Sequence, residues 1–78
     1  MNYVSLQPHS VVHSDPEISG GTPVFRGTRV PVQSLFDHLE QGVTVHEFLD
    51  DFPSVSKEQA LATLAIARDF VLNHARSA

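Results

Sequence analysis

Two arginines on either side of a Gly-Thr pair are the residues of this sequence best suited to binding chemistry. Arg26 and Arg29 flank Gly27-Thr28 in the run Gly20-Gly21-Thr22-Pro23-Val24-Phe25-Arg26-Gly27-Thr28-Arg29-Val30-Pro31-Val32. The planar guanidinium of arginine binds a carboxylate or a phosphate through two parallel hydrogen bonds. The pattern therefore predicts that Arg26 and Arg29, with Thr28 between them, bind an anion.

The Gly27-Thr28 pair predicts the turn of a short hairpin. Glycine accepts a positive φ without strain, as the first central position of a type II′ turn requires. β-Branched and aromatic residues lie on both sides. In this register Arg26 stands opposite Arg29, and like charges at such positions are unfavourable by up to about 1 kcal/mol. The compensating anion is either internal, with Asp15 and Glu17 as candidates, or belongs to a partner protein or a nucleic-acid backbone.

Glycines, prolines and acidic residues recur around the arginine pair in a recognisable order. The motifs are Asp15-Pro16-Glu17-Ile18, Gly20-Gly21-x-Pro23, Arg26-Gly27-Thr28-Arg29-Val30-Pro31-Val32, Gly42-Val43-Thr44 with Glu47, and Phe52-Pro53. Through them, over roughly residues 10 to 70, the chain resembles the small prokaryotic family known as domain of unknown function 433. Thr22 stands where the family pattern has a basic residue. The resemblance implies a helix-turn-helix-like fold and, as for many members, an antitoxin encoded beside a PIN-like ribonuclease toxin.

Length and composition predict a single small, soluble domain. A chain of 78 residues with 41% apolar residues suits one globular domain. Such a domain buries only about 60% of its unfolded surface, so association adds stability. The absence of cysteine excludes disulfides and thiolate metal sites. Residues 1–5 lack a basic region before an apolar run, and no stretch approaches the ~18 apolar residues of a membrane span. We therefore expect a cytoplasmic protein without a membrane partner.

Start and stop signals predict three helices. Pro31 lies near the start of the first, and Gly42 ends it as a C′ residue. Capping boxes open the second and third helices, at Thr44-Val45-His46-Glu47 and at Ser56-Lys57-Glu58-Gln59. The second is expected over about 45–51 and the third to about His74.

These elements predict a mainly α fold class, a three-helix helix-turn-helix-like domain preceded by a short N-terminal β-hairpin. The predicted layout of the single domain, 1–78, is an N-terminal arm or strand at 1–14, the hairpin at 18–31 and the three helices at 32–74. Val11-Val12-His13-Ser14 could pair beside the hairpin as a short strand.

The longest helix carries more apolar residues than one buried face needs. One stripe is expected to face the core, formed by Ala60, Leu64, Ala67 and Val71. Ile66 and Phe70 lie off that stripe and one turn apart. They predict an interface, either with a second copy in a free homodimer or with a partner protein. Alternatively, the hairpin or the N-terminal arm covers them within the chain.

The net charge of −4 limits nucleic-acid binding. Affinity for DNA depends largely on neutralisation of phosphates, and the basic residues are only Arg26, Arg29, Lys57, Arg68 and Arg76. The second helix would present acidic residues to a DNA groove. Phosphate or partner contacts are therefore expected from Arg26, Thr28 and Arg29 and, at the start of the longest helix, from Lys57 and Gln59. Binding by the chain alone is expected to be weak.

No set of residues predicts catalysis or a metal site. Among five histidines, His9 and His13 lie close to Asp15, while His38 and His46 belong to different helices. None has the spacing typical of a metal site. No nucleophile lies beside a base. We therefore expect a non-enzyme that needs no cofactor.

Two functions remain open from the sequence. The first is an antitoxin that binds a PIN-like toxin and, together with it, operator DNA. The second is a protein-interaction or dimerisation module with no nucleic-acid role.

Overall fold

Three helices follow two short strands in the computed structural model, which describes residues 11–17 and 19–77. The strands are β1 (Val12–His13) and β2 (Val24–Phe25), and the helices are α1 (Val32–Glu40), α2 (Val45–Asp51) and α3 (Lys57–Ser77). A 3-10 turn, Ser19–Gly21, lies between the strands. This arrangement confirms the mainly α fold class with a small β element in front of three helices. Residues 1–10 of the arm or strand predicted at 1–14 lie outside the described residues.

The two strands form an antiparallel pair in which Val12 lies opposite Phe25 and His13 opposite Val24. The sequence predicted a hairpin with both strands around Gly27-Thr28. Instead, the segment after that turn makes a single bridge, between Val24 and Pro31. On that edge of β2 the Phe25 N–H donates to the Val30 carbonyl and the Val32 N–H to the Pro23 carbonyl, each at 3.0 Å. β1, which the sequence suggested as an additional strand beside the hairpin, pairs with the opposite edge of β2, where the Arg26 N–H donates to the Val11 carbonyl at 2.8 Å.

Local signals set the boundary between α1 and α2 where the sequence predicts it. Gly42, with φ +84°, follows α1, and its N–H donates to the Leu39 carbonyl while the Val43 N–H donates to the His38 carbonyl. These two bonds define a Schellman motif. At the start of α2, the Thr44 hydroxyl accepts from the Glu47 N–H at 3.1 Å. Both observations confirm the predicted boundary between α1 and α2.

The core lies where β2 and the three helices meet. Its buried residues are Phe25, Leu35, Phe48, Val55 and Ala60. The rings of Phe25 and Phe48 lie 6.2 Å apart, and those of Phe48 and Phe52 lie 4.8 Å apart. The hairpin is therefore anchored to α2 through an aromatic cluster, which fixes the position of the turn that carries the arginines.

The third helix is longer than the elements it packs on. It has 21 residues, against nine in α1 and seven in α2. At 1.5 Å per residue it spans about 31 Å, and α1 only about 14 Å. Its last turns therefore extend past the core and end at Ser77, beyond the predicted His74. Within residues 11–17 and 19–77, no helix combines the length and the hydropathy needed to cross a membrane.

Candidate functional site

The turn that carries the arginines closes one residue earlier than the sequence predicts. The Thr28 N–H donates to the Phe25 carbonyl at 2.9 Å, so Arg26 and Gly27 are the central residues. Gly27 has φ +80° at the third position, as a type II turn requires. The predicted type II′ turn around Gly27-Thr28 is therefore wrong. The Thr28 hydroxyl explains the shift, because it donates to the Phe25 carbonyl at 2.8 Å and accepts from the Val30 N–H at 3.0 Å.

Both arginines line one open depression, which we call the arginine depression. Its volume is about 620 Å³, and its lining residues are His13, Arg26, Gly27, Thr28, Arg29 and Ser54. Three separate parts of the chain contribute: β1, the turn after β2, and the loop before α3. The fold thus brings together the predicted residues Arg26, Thr28 and Arg29 and adds two that the sequence did not indicate.

The two internal anions proposed from the sequence do not pair with the arginines. Asp15 lies 4.0 Å from the Nε2 of His13, and its other oxygen accepts from the Glu17 N–H at 2.9 Å. Neither Asp15 nor Glu17 forms an ion pair with Arg26 or Arg29 in the part of the chain that the structure describes. The Nη2 of Arg26 lies 3.5 Å from the Val12 carbonyl oxygen. The guanidinium of Arg26 therefore rests along β1, while that of Arg29 is exposed.

The two residues predicted at the start of α3 differ in their surroundings. The Gln59 amide is engaged on both sides: its Oε1 accepts from the Ser56 N–H at 2.9 Å, and its Nε2 donates to the Arg26 carbonyl at 2.8 Å. It therefore holds the turn against the start of α3. Lys57 is the first residue of α3 and is exposed. Direct contact of either residue with a partner stays a prediction.

Local sequence patterns do not indicate that His13 or Ser54 joins the arginines. His13 belongs to a candidate strand and to a histidine group without metal-site spacing, and Ser54 carries no motif. Ser54 lies in the turn closed by the Val55 N–H and the Phe52 carbonyl, at 3.0 Å. It reaches the depression because the Gln59 bond brings the start of α3 to the arginine turn. No periodicity or spacing in the sequence predicts a long-range contact of that kind.

The C-terminal half of α3 exposes large apolar side chains. Phe70 and Val71 are each 61% exposed and Leu72 is 45% exposed. Ile66 is half-buried, and the Phe70 ring stacks on that of His74 with centroids 3.9 Å apart. Of the two predicted interface residues, Phe70 is therefore open to a partner and Ile66 is partly covered.

The buried face of α3 differs from the predicted stripe. Buried residues lie in its first half, on more than one side of the helix: Ala60, Ala62, Thr63 and Ala65. Ala60 belongs to the predicted stripe, but Val71 is largely exposed. The prediction for Val71 was wrong because the stripe was extended along the whole helix, whereas the core ends about halfway along it.

The helix-turn-helix corner presents acidic side chains. On α2 the exposed residues are His46, Glu47, Asp50 and Asp51. The His46 Nε2 lies 3.7 Å from an Asp50 carboxylate oxygen. Such a surface repels phosphates. The corner has the connectivity of a DNA-binding motif, but its charge opposes that use.

The histidines of the described residues have structural or surface surroundings. The Nδ1 of His38 donates to the Ser34 carbonyl at 2.6 Å, and its ring packs edge-on against Phe48 and Phe52 at 5.3 and 5.5 Å. No group of three His, Cys, Asp or Glu in residues 11–17 and 19–77 could hold a metal ion. His9, considered with His13 and Asp15, lies outside those ranges.

Comparisons with known proteins give one family and two relatives. A family model described as "Protein of unknown function (DUF433)" matches residues 12–67. The uncharacterized protein y4eO of Sinorhizobium fredii is 45% identical over 49 residues, which are 63% of this chain and 22% of that protein. The chain thus spans about a fifth of that relative's length. A crystal structure of a DUF433 member from Anabaena variabilis is similar with a TM-score of 0.66 and 25% identity, over 86% of this chain and 66% of that one.

Proposed function

We propose that this chain, which belongs to the DUF433 family, is the antitoxin component of a type II toxin–antitoxin system and neutralises a PIN-like ribonuclease toxin. The observation that carries the proposal is the exposed apolar surface on the last turns of α3. Burying an apolar side chain of this size contributes roughly 1.5–3 kcal/mol. A small domain with a limited core gains by covering such residues with a partner protein. The class of partner comes from the resemblance to the family.

The exposed apolar residues of α3 form two faces on different sides of the helix. Residues two apart on an α-helix differ by about 200° in direction, so Phe70 and Leu72 point nearly opposite ways. Ile66 and Phe70 form what we call the Phe70 face. The second, called the Leu72 face, consists of Leu61, Leu64, Arg68 and Leu72, and a depression of about 430 Å³ lies among its first three members and Ala65.

We assign the Leu72 face to the toxin and the Phe70 face to a second copy of the chain. A groove lined largely by leucines suits an apolar partner segment. The Phe70 face has a flat stacked pair, Phe70 on His74, which suits self-complementary packing across a two-fold axis. The free chain is accordingly a homodimer, and toxin binding leaves that dimer intact.

Operator DNA is the third proposed partner, and the chain is proposed to bind it in the cytoplasm. A net charge of −4 keeps binding by the free chain weak, and the complex with a toxin binds more tightly if the toxin adds basic surface. Because α2 is acidic, the contacts with DNA come from the arginine depression and Lys57 rather than from the helix-turn-helix corner.

The second candidate function is a protein-interaction module without a nucleic-acid role. The acidic surface of α2, with Glu47, Asp50 and Asp51 exposed, favours this candidate. In that case the two faces of α3 bind proteins, and no operator is involved.

The experiment that tests the proposal is growth rescue by co-expression. The reading frame beside this gene is expected to encode a small protein with a cluster of acidic metal-binding residues. Its expression alone should stop growth, and co-expression of this chain should restore it. Leu72→Asp should abolish rescue, while Phe70→Asp, which introduces the same charge on the other face, should preserve it. A neighbouring gene of another kind, or rescue that survives Leu72→Asp, contradicts the assignment.

A further inference from the structure

The arginine depression joins two guanidinium groups to neutral hydrogen-bond donors. Besides Arg26 and Arg29, it is lined by Gly27 and Ser54. Among the described residues, none accepts a hydrogen bond from the Gly27 amide or the Ser54 hydroxyl. Arg29 likewise makes no ion pair there. The depression thus combines two guanidinium groups with an amide N–H and a hydroxyl that have no acceptor among the described residues, which suits an anion.

The backbone that carries these donors is fixed from several sides. The Arg26 N–H donates to the Val11 carbonyl at 2.8 Å, and the Arg26 carbonyl accepts from Gln59 at 2.8 Å. The Thr28 hydroxyl bonds both Phe25 and Val30. A ligand that enters the depression therefore meets positions already held in place, which lowers the ordering cost of binding.

We propose that the arginine depression is a phosphate-binding site in which Arg26 and Arg29 hold one phosphate group and Gly27 and Ser54 donate to its remaining oxygens. A phosphate offers three or four oxygens in a tetrahedral arrangement, whereas a carboxylate offers two in one plane. Two guanidiniums and two neutral donors match the larger number. The Thr28 hydroxyl positions the turn and contributes no donor, since its proton is held by the Phe25 carbonyl.

The charges of the rest of the chain direct an anion to this depression. Exposed acidic residues lie on α1 and α2: Asp37, Glu40, Glu47, Asp50 and Asp51. Two of the five basic residues of the chain line the depression. The two arginines therefore favour a negative ligand here over the acidic surfaces of α1 and α2. The Asp15 carboxylate, 4.0 Å from the Nε2 of His13, offsets part of this attraction. The inference that the phosphate belongs to a nucleic-acid backbone rests on the proposed function. The inference that the depression binds phosphate does not.

The test is a titration of the isotope-labelled full chain with inorganic phosphate, followed by amide NMR at constant ionic strength. We expect saturable shifts confined to the amides of Gly27, Thr28, Arg29 and Ser54. Arg29→Gln should weaken binding about tenfold or more, and Arg29→Lys should fall between, because it keeps the charge but loses the fork. The matched control is Arg76→Gln, since Arg76 is exposed in the last turn of α3 and does not line the depression, so the change should not affect binding.

Four results overturn the proposal or its source. The site does not exist if phosphate shifts amide signals over the whole chain, or if the shifts persist in Arg29→Gln. Acetate that binds as tightly as phosphate shows a carboxylate receptor instead. A short DNA duplex should move the same amides and compete with phosphate. A duplex that leaves them unchanged assigns the depression to a free phosphate group and contradicts the link to operator DNA, whatever the toxin does.

Discussion

The side-chain amide of Gln59 donates a hydrogen bond to the Arg26 carbonyl at 2.8 Å, across 33 positions of the chain. The same side chain caps α3 through the Ser56 N–H. One residue therefore starts the longest helix and also fixes the arginine turn against it. The relationship explains why a turn and a helix terminus, each unremarkable alone, form a single concave surface.

Gln59→Ala removes both bonds and should lower the free energy of unfolding by about 1–2 kcal/mol. Urea denaturation followed by circular dichroism measures the change. Gln59→Glu is the matched variant: it keeps a capping oxygen for Ser56 but places no N–H against the Arg26 carbonyl. It should retain helix α3 and lose phosphate affinity. If both variants are as stable as wild type, the hydrogen bond from Gln59 to the Arg26 carbonyl does not stabilise the fold.

Gly42 is the residue that permits the tight connection between α1 and α2. Its φ of +84° costs an L-residue about 1–2 kcal/mol. Gly42→Ala should therefore destabilise the domain by that amount in urea denaturation, although no atom lies within 4 Å of the added methyl group. Gly42→Asn should recover part of the loss, because asparagine tolerates this conformation better than alanine does. Equal stability of all three proteins would contradict the backbone explanation.

Much of the fold could be predicted from signals that span a few residues. The capping boxes at Thr44 and Ser56 and the C′ glycine at Gly42 act within four positions. They can therefore be recognised from residue spacing alone. The pairing of β1 with β2 lies beyond that range, because it joins residues 11 or more positions apart. The hydroxyl of Thr28 moved the turn by one residue, a competition that residue propensities do not express.

The candidate site was predictable in part. Arg26, Thr28 and Arg29 were found from residue chemistry alone. Ser54 and His13 were not, because they enter the depression through the fold. On α3, the apolar stripe was extended to Val71 because periodicity does not show where a core ends; that depends on the lengths of α1 and α2.

The state of association of the free chain depends on the Phe70 face. Light scattering at micromolar concentration should give twice the 8.6 kDa of one chain. Phe70→Asp should give a folded monomer, because a charge in an apolar interface cannot be solvated. Ala75→Asp, which adds the same charge at an exposed position elsewhere on α3, should remain dimeric. A monomeric wild type, with Phe70→Asp merely unfolded, would place Phe70 in the core of one chain.

The most direct test of the central claim is the mass of the complex formed by this chain and the PIN-like protein of the adjacent reading frame. Purified together and measured by light scattering, wild type should form a stable complex that contains both chains. Phe70→Asp should still bind the toxin, as a single copy, while Leu72→Asp should remain a free dimer and leave the ribonuclease active. If no complex forms, or if Leu72→Asp binds and inhibits the toxin as wild type does, the proposed antitoxin function or its binding face is wrong.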